Sequence, residues 1–344
     1  MTQIAGLFPG YFALVMATGI VSIGAYLMDM PRLAWVLVYL NVAAYVVLVC
    51  LLLVRVVRFL PHIIADIKDN ARGAGFFTVV AGTCVLGSQL LIVAGVWTGP
   101  FILWIAGIIL WAVVMYAFFS AITVKEDKPP LEKGINGAWL IAVVATQSIS
   151  KLGTLLAPQF GAAREGVLFF TLCMFLIGCM LYLMLITLIF YRFTFYRLTS
   201  ENLTPPYWIN MGAVAITTLA GARLIIAGPE SEVLAGFVPF IKGFTLFFWA
   251  VGTWWIPMLI ILGIWRHIVQ RFPLRYDPQY WGMVFPLGMY TVCTYQLSKA
   301  LGYEPLMYIP RVVIWFALAA WIATFFGLLQ RLFHDLFFAS EKNS

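Results

Sequence analysis

The chain has 344 residues, 63% of them hydrophobic and only 10% charged, with a mean hydropathy of +0.97 and a formal net charge of +7. A soluble domain carries roughly 25% charged residues and must cover its water-facing surface with polar side chains. A water-soluble fold is therefore excluded, and lipid is the solvent for most of the chain. The positive excess does not read as a nucleic-acid surface, because it is scattered over short connecting loops with no basic stripe interleaved with aromatics.

A bilayer core takes about 20 apolar residues per helix. Ten such runs follow one another at roughly 8–28, 33–60, 75–95, 99–123, 136–157, 165–191, 206–227, 233–265, 281–302 and 306–332. The expectation is an all-α integral membrane protein in which residues 1–344 form a single transmembrane domain. Met1 to Phe12 has no basic leading segment and the first apolar run continues for a full span, so no cleavable signal is expected. The eighth run is longer than a span requires and carries Pro239 and Pro257, which predicts a kink, a tilt or an interfacial piece.

Orientation follows from lysine and arginine in the short loops. One side collects Arg55, Arg58, Lys68, Arg72, Lys125, Lys128, Lys133, Arg192, Arg197, Arg266, Arg271, Arg275, Arg331 and Lys342, and the other chiefly Arg32, Arg164 and Arg311. Both termini are expected on the cytoplasmic side of a bacterial-type inner membrane.

The odd-numbered runs can be laid over one another on a shared threonine in a small or polar patch. Thr18, Thr83, Thr146, Thr217 and Thr291 recur every 63 to 74 residues, the length of one helical hairpin. The pattern predicts five hairpins around a central pore, with odd helices inside and even helices outside. Thr18, Ser22, Thr83, Thr146, Gln147, Ser150, Thr217 and Thr291 are then the candidates for lining it, since small residues allow close packing and hydroxyls can line a path. Threonine and glycine also pack membrane helices in their own right.

Ionisable residues inside spans are costly and mark function by default. Every acidic residue, from Asp29 to Glu341, can be placed in a loop or at a helix end. Lys151, Arg223 and Lys299 instead fall in the later halves of the fifth, seventh and ninth runs, and Lys242 in the eighth. Cations on pore helices with no carboxylate at the same level would attract anions; the same three side chains could also snorkel to the outer interface. The lack of buried carboxylates argues against a carrier built on membrane Asp or Glu.

Cys50, Cys84, Cys173, Cys179 and Cys293 lie in apolar runs without metal-site spacing, and His62, His267 and His334 sit in loops or at helix ends without a second ligand. No phosphate loop, metalloprotease helix or nucleophile elbow is present. No catalytic residue, metal or cofactor is expected, and the chain does not read as an enzyme.

Three short motifs carry a family resemblance. They are Phe8-Pro9-Gly10-Tyr11-Phe12 with Ala17-Thr18-Gly19, Pro205-Pro206-Tyr207-Trp208-Ile209, and Trp281 followed by Phe285-Pro286-Leu287. In their order and ten-span frame, they make the chain resemble, over its full length, the tellurite-resistance and C4-dicarboxylate transporter family, to which plant slow anion channels, malate transporters and sulfite exporters belong. The resemblance implies a homotrimer whose protomers each hold a pore of five inner helices, occluded by a phenylalanine on the ninth. That role falls on Phe285, with Pro286 bending the helix behind it. The implied partners are small inorganic or organic anions and the lipid bilayer. The expected function is transport of small anions by a channel or channel-like uniporter. The alternative is a proton-linked malate or succinate carrier, or a sulfite or oxyanion exporter. A sensor or scaffold that keeps the fold is disfavoured because the soluble parts are too short to form a second domain.

Overall fold

The computed structural model describes residues 2–337; Glu341 and Lys342 lie outside them. No strand occurs among the described residues. Ten long helices follow the ten apolar runs: α1 Ala13–Leu27, α2 Pro31–Arg58, α3 Phe77–Ala94, α4 Thr98–Thr123, α5 Ile141–Leu156, α6 Arg164–Phe195, α7 Ile209–Ala227, α8 Val238–Ile264, α9 Trp281–Leu301 and α10 Tyr308–Phe337. Eight stretches among the described residues are long and apolar enough to cross a membrane, and one of these, Gly137–Phe195, contains both α5 and α6. Helix α9 stands outside that set; its Pro286, Gln296, Ser298 and Lys299 dilute its apolar character. The chain is an all-α membrane protein.

Local sequence explains how the helices begin and end. Pro9, Pro205 and Pro278 open 3-10 turns ahead of α1, α7 and α9, where a missing N–H costs nothing and φ is already set. Asp277 caps the last of these turns and Asn136 the corresponding turn ahead of α5, their side chains each accepting a backbone N–H at 2.8 Å. Helices α3 and α9 end on Gly95 and Gly302, both left-handed at φ 66° and 65°, where a side chain would be strained. The long eighth run resolves into a single turn, Glu232–Ala235, then α8 with Pro257 inside it, then a π-helical turn, Trp265–Val269.

Packing sorts the ten helices into two layers. Each odd helix packs against the next odd one, α1 on α3, α3 on α5, α5 on α7, α7 on α9 and α9 back on α1, which closes a ring of five. Each even helix packs on the odd helix before it as a hairpin partner and also touches the next odd helix. Burial follows the layers. In an 18-residue apolar window of the stretches containing α1, α3 and α7, 78–83% of residues are buried, against 22–28% in those containing α2, α4, α8 and α10. The outer layer exposes Val, Ile, Leu, Phe and Trp, as an element solvated by lipid tails or another apolar surface does.

The layers are tied by a rule that runs right round the ring. Each outer helix extends the polar tip of at least one aromatic side chain to the inner helix of the following hairpin. Tyr45 Oη pairs with Thr83 Oγ1 at 3.0 Å, and Trp111 Nε1 donates to Thr146 Oγ1 at 2.8 Å. Tyr182 Oη donates to the Asn210 carbonyl at 3.3 Å, and Trp249 Nε1 to Thr294 Oγ1 at 3.0 Å. Trp321 Nε1 donates to Thr18 Oγ1 at 2.9 Å, joining the last outer helix to the first inner one. In lipid an aromatic apolar body with one satisfied polar tip suits this seam.

At the end of the ring where the inner helices begin, the first residues are clasped by charge. Arg55, only 1% exposed, forms an ion pair with Asp66 and donates Nε to the Ala5 carbonyl at 3.1 Å. Arg72 Nε donates to the other Asp66 oxygen at 2.6 Å, and its guanidinium lies 5.9 Å from the Phe8 ring centroid.

Candidate functional site

The inner helices start on five equivalent turns, Pro9–Phe12, Gly73–Phe76, Gly137–Leu140, Pro205–Trp208 and Pro278–Tyr280. A sequence signal marks them that the threonine alignment passes over. It is a small or polar residue, then an aromatic, then an aromatic or leucine: Gly10-Tyr11-Phe12, Gly75-Phe76-Phe77, Ala138-Trp139-Leu140, Pro206-Tyr207-Trp208 and Gln279-Tyr280-Trp281. These recur every 63 to 73 residues.

The first member of each triplet faces a common space at this end of the ring. So does the residue three further on: Ala13, Thr78, Ile141, Ile209 and Gly282. Positions three apart share a helix face, so all five inner helices present one face to the same axis. A further three residues on, Met16, Val144 and Phe285 close the space, and the matching positions of α3 and α7 are Ala81 and Gly212. The result is a cavity of about 30 Å³, room for one or two waters, walled mainly by apolar atoms. Phe285 is the only aromatic ring at its deepest level, and it is 1% exposed.

The backbone of α9 is specialised at this point. Pro286 has no N–H to give the Gly282 carbonyl, which borders the cavity, so the ladder is open beside Phe285. Gly212 on α7 makes room for the proline ring, since a Cβ there would lie 2.7 Å from Pro286 Cγ.

The hydroxyl and amide groups singled out in the sequence sit chiefly at the seam between the layers. Thr18, Thr83 and Thr146 meet outer aromatics as described. Ser22 donates to the Ala34 carbonyl at 2.8 Å, Gln147 Nε2 to the Phe175 carbonyl at 3.0 Å and Ser150 to the Thr171 carbonyl at 2.7 Å, all on outer helices. Thr217 and Thr291 donate to carbonyls of their own helices, Ala213 at 2.8 Å and Leu287 at 3.1 Å. The five threonines stand five, six, five, eight and ten residues after the first residues of their helices, so the last two lie about one turn deeper than the rest.

The three sequence-predicted cations form a graded series toward the other end. Lys299 is exposed, with Nζ 5.9 Å from the Tyr295 ring; Arg223 is half-buried; Lys151 is 2% exposed. Lys151 Nζ has no hydrogen-bond partner, and Arg223 lies within electrostatic range of both Lys151 and Tyr295. Lys151 is seven residues beyond Val144, so the two point within about 20° of each other around α5, and it stands about 15 Å along the helix from Ile141. The five inner helices contain no Asp or Glu. Lys242, on α8, is exposed. Among the described residues, no group of His, Cys, Asp and Glu is arranged to hold a metal ion.

Comparison with known proteins adds the family. The model of a family described as voltage-dependent anion channel matches residues 7–329. An uncharacterized transporter of Methanocaldococcus jannaschii is 25% identical over 343 residues, covering 97% of each chain. A second from the same organism is 25% identical over 335 residues, 94% of this chain and 93% of the relative. An uncharacterized membrane protein of Mycobacterium tuberculosis is 43% identical over 154 residues, 44% of this chain and 77% of its own.

Proposed function

Because the chain belongs to the voltage-dependent anion channel family, we propose that each protomer carries small anions along the axis of its own five-helix ring, with Phe285 as the obstruction they must pass. The observation that carries this reading is the closed ring itself: five inner helices, free of Asp and Glu, surround one cavity walled mainly by apolar atoms, with Phe285 on its border. In this reading all ten helices cross the membrane as five hairpins. The basic loops and both termini face the cytoplasm of a bacterial-type inner membrane, and three protomers assemble.

The physics is that of a hydrophobic constriction. The deepest level of the cavity offers a hydrated ion almost no polar partner, so conduction waits until the Phe285 ring turns aside. Beyond it Lys151, Arg223 and Lys299 set a positive potential, and no carboxylate on the inner helices offsets it. Anions are drawn in and cations turned away. Purified protein in liposomes is expected to pass chloride and nitrate down an imposed potential and to exclude potassium. Equal potassium and chloride fluxes would refute the reading.

One observation favours a binding step within that path. A buried ammonium without a counter-charge is expensive, and a passing anion is the partner it lacks. Lys151→Met is therefore expected to raise thermal stability in detergent while lowering anion flux about tenfold, the equivalent of ~1.4 kcal/mol. Unchanged flux would remove Lys151 from the path. Saturable malate movement that needs a proton gradient would replace the channel reading with that of a coupled carrier.

A further inference from the structure

A second cavity, of about 160 Å³, lies between the turn before α7, the end of α8 and the start of α9. Leu262 and Met283 give it apolar walls, Tyr207 and Tyr280 aromatic ones, and Arg266 and His267 a polar corner. The π-helical turn Trp265–Val269 supplies both basic residues. Such turns are rare and concentrate at functional sites.

Two donors on this cavity lack an acceptor. Arg266 is 8% exposed and its Nε has no hydrogen-bond partner; its guanidinium is stacked 4.3 Å from the Phe272 ring centroid. Tyr207 is 1% exposed and its hydroxyl is also unpartnered. His267 Nδ1 is paired with the Phe272 carbonyl at 3.0 Å. Tyr280 and Asp277 are both within electrostatic range of Arg266, but neither bonds its Nε, and the Asp277 carboxylate caps the turn before α9 by accepting the Gln279 N–H at 2.8 Å. Buried donors are ordinarily satisfied, and the missing group here is an acceptor. The remaining wall is mainly apolar and aromatic, and a cavity of this size has room for one benzene-sized body.

We propose that this cavity is a binding site for a small aromatic or short-chain carboxylate, its carboxylate held by Arg266 Nε and the Tyr207 hydroxyl and its apolar body by Leu262, Met283 and Tyr280. A planar guanidinium suits a carboxylate better than any other side chain does. The site is distinct from the axial cavity, and its existence does not depend on the transport reading.

Isothermal titration of delipidated, detergent-solubilised full-length protein with sodium benzoate tests this, with benzamide as the uncharged probe of the same shape. One saturable benzoate site per chain is expected, with benzamide much weaker. Arg266→Gln should weaken benzoate binding about 10- to 100-fold. Gly263, which borders the cavity and whose added Cβ would meet no atom within 4 Å, gives a variant that fills the space without a clash; Gly263→Leu should abolish the site. No saturable heat from the native protein, equal binding of benzamide, or undiminished binding by Gly263→Leu would each overturn the proposal.

Discussion

Phe285→Ala is expected to raise electrogenic anion flux in liposomes roughly tenfold or more, because each ~1.4 kcal/mol taken off a barrier is a factor of ten. The argument rests on what surrounds the ring. At the level of Phe285 the other inner helices contribute only Met16, Ala81, Val144 and Gly212. The flank of Pro286 lies against Gly212, so of these neighbours only Met16 is long and flexible enough to reach into the space of a lost phenyl. If Phe285 is the proposed obstruction, truncation widens the path there and lets water follow the ion. The same truncation of a packing phenylalanine would cost stability, about 3–5 kcal/mol, and leave no new conductance. Phe285→Leu should fall between native and alanine in flux, and the series alanine, leucine, phenylalanine should order flux by residual side-chain bulk. A melting point that falls while flux stays at the native level would make Phe285 a core residue and end its assignment as the obstruction.

The largest expected effect on stability lies elsewhere, in the clasp on the first residues. Asp66→Ala should cost about 3–5 kcal/mol, because the Arg55 guanidinium, 2% exposed, then keeps a buried charge with no counter-ion. Arg72→Ala should cost far less, about 0–1 kcal/mol, since its side chain is 39% exposed and water replaces the lost partner. Replacing Arg55 and Asp66 together by leucine should recover most of the loss, because a buried pair and an apolar pair of similar volume are often close in stability. Thermal unfolding in detergent measures all three. Comparable losses for Asp66→Ala and Arg72→Ala would mean that Arg55 finds another partner. Because the same clasp holds the Ala5 and Gly6 carbonyls, limited proteolysis near residue 6 should accelerate in Asp66→Ala.

The layers were legible in the sequence because composition differs between them. Glycine, threonine and serine gather in the odd runs, while α2 and α4 are dominated by Leu, Val, Ile and Trp. Pro and Gly punctuate the helix ends at Pro31, Pro205, Gly95 and Gly302, and the apolar runs alone approach those ends to within a few residues. The positions of the hydroxyl groups were not legible. A threonine in an apolar helix can satisfy itself on the carbonyl four residues back, as Thr83 does on Val79 at 2.7 Å and Thr146 on Ala142 at 2.8 Å. Its presence therefore says little about which way it faces, and in lipid both faces of a helix can be apolar, so periodicity gives no direction either. The axial face escaped attention for the complementary reason: Gly10, Ala13 and Ile209 carry no chemistry that a search for polar lining would notice. The pocket beside α9 was hidden because Tyr207 and Arg266 are 59 residues apart in the chain and meet only where the turn before α7 lies beside the end of α8.

The contact between Trp321 and Thr18 joins residues 303 apart in the chain. During synthesis α1 enters the bilayer with its α9 and α10 neighbours still unmade, so its flank stays open until the fifth hairpin arrives. Early contacts are local, within and between successive hairpins, and the closing contact is the most distant in sequence, which is the slow kind to form. Biogenesis of this protein is therefore expected to have a distinct last act, in which an open crescent of four hairpins becomes a closed barrel. A nascent chain stalled before α9 is a species whose unpaired flank can be capped by a neighbouring copy.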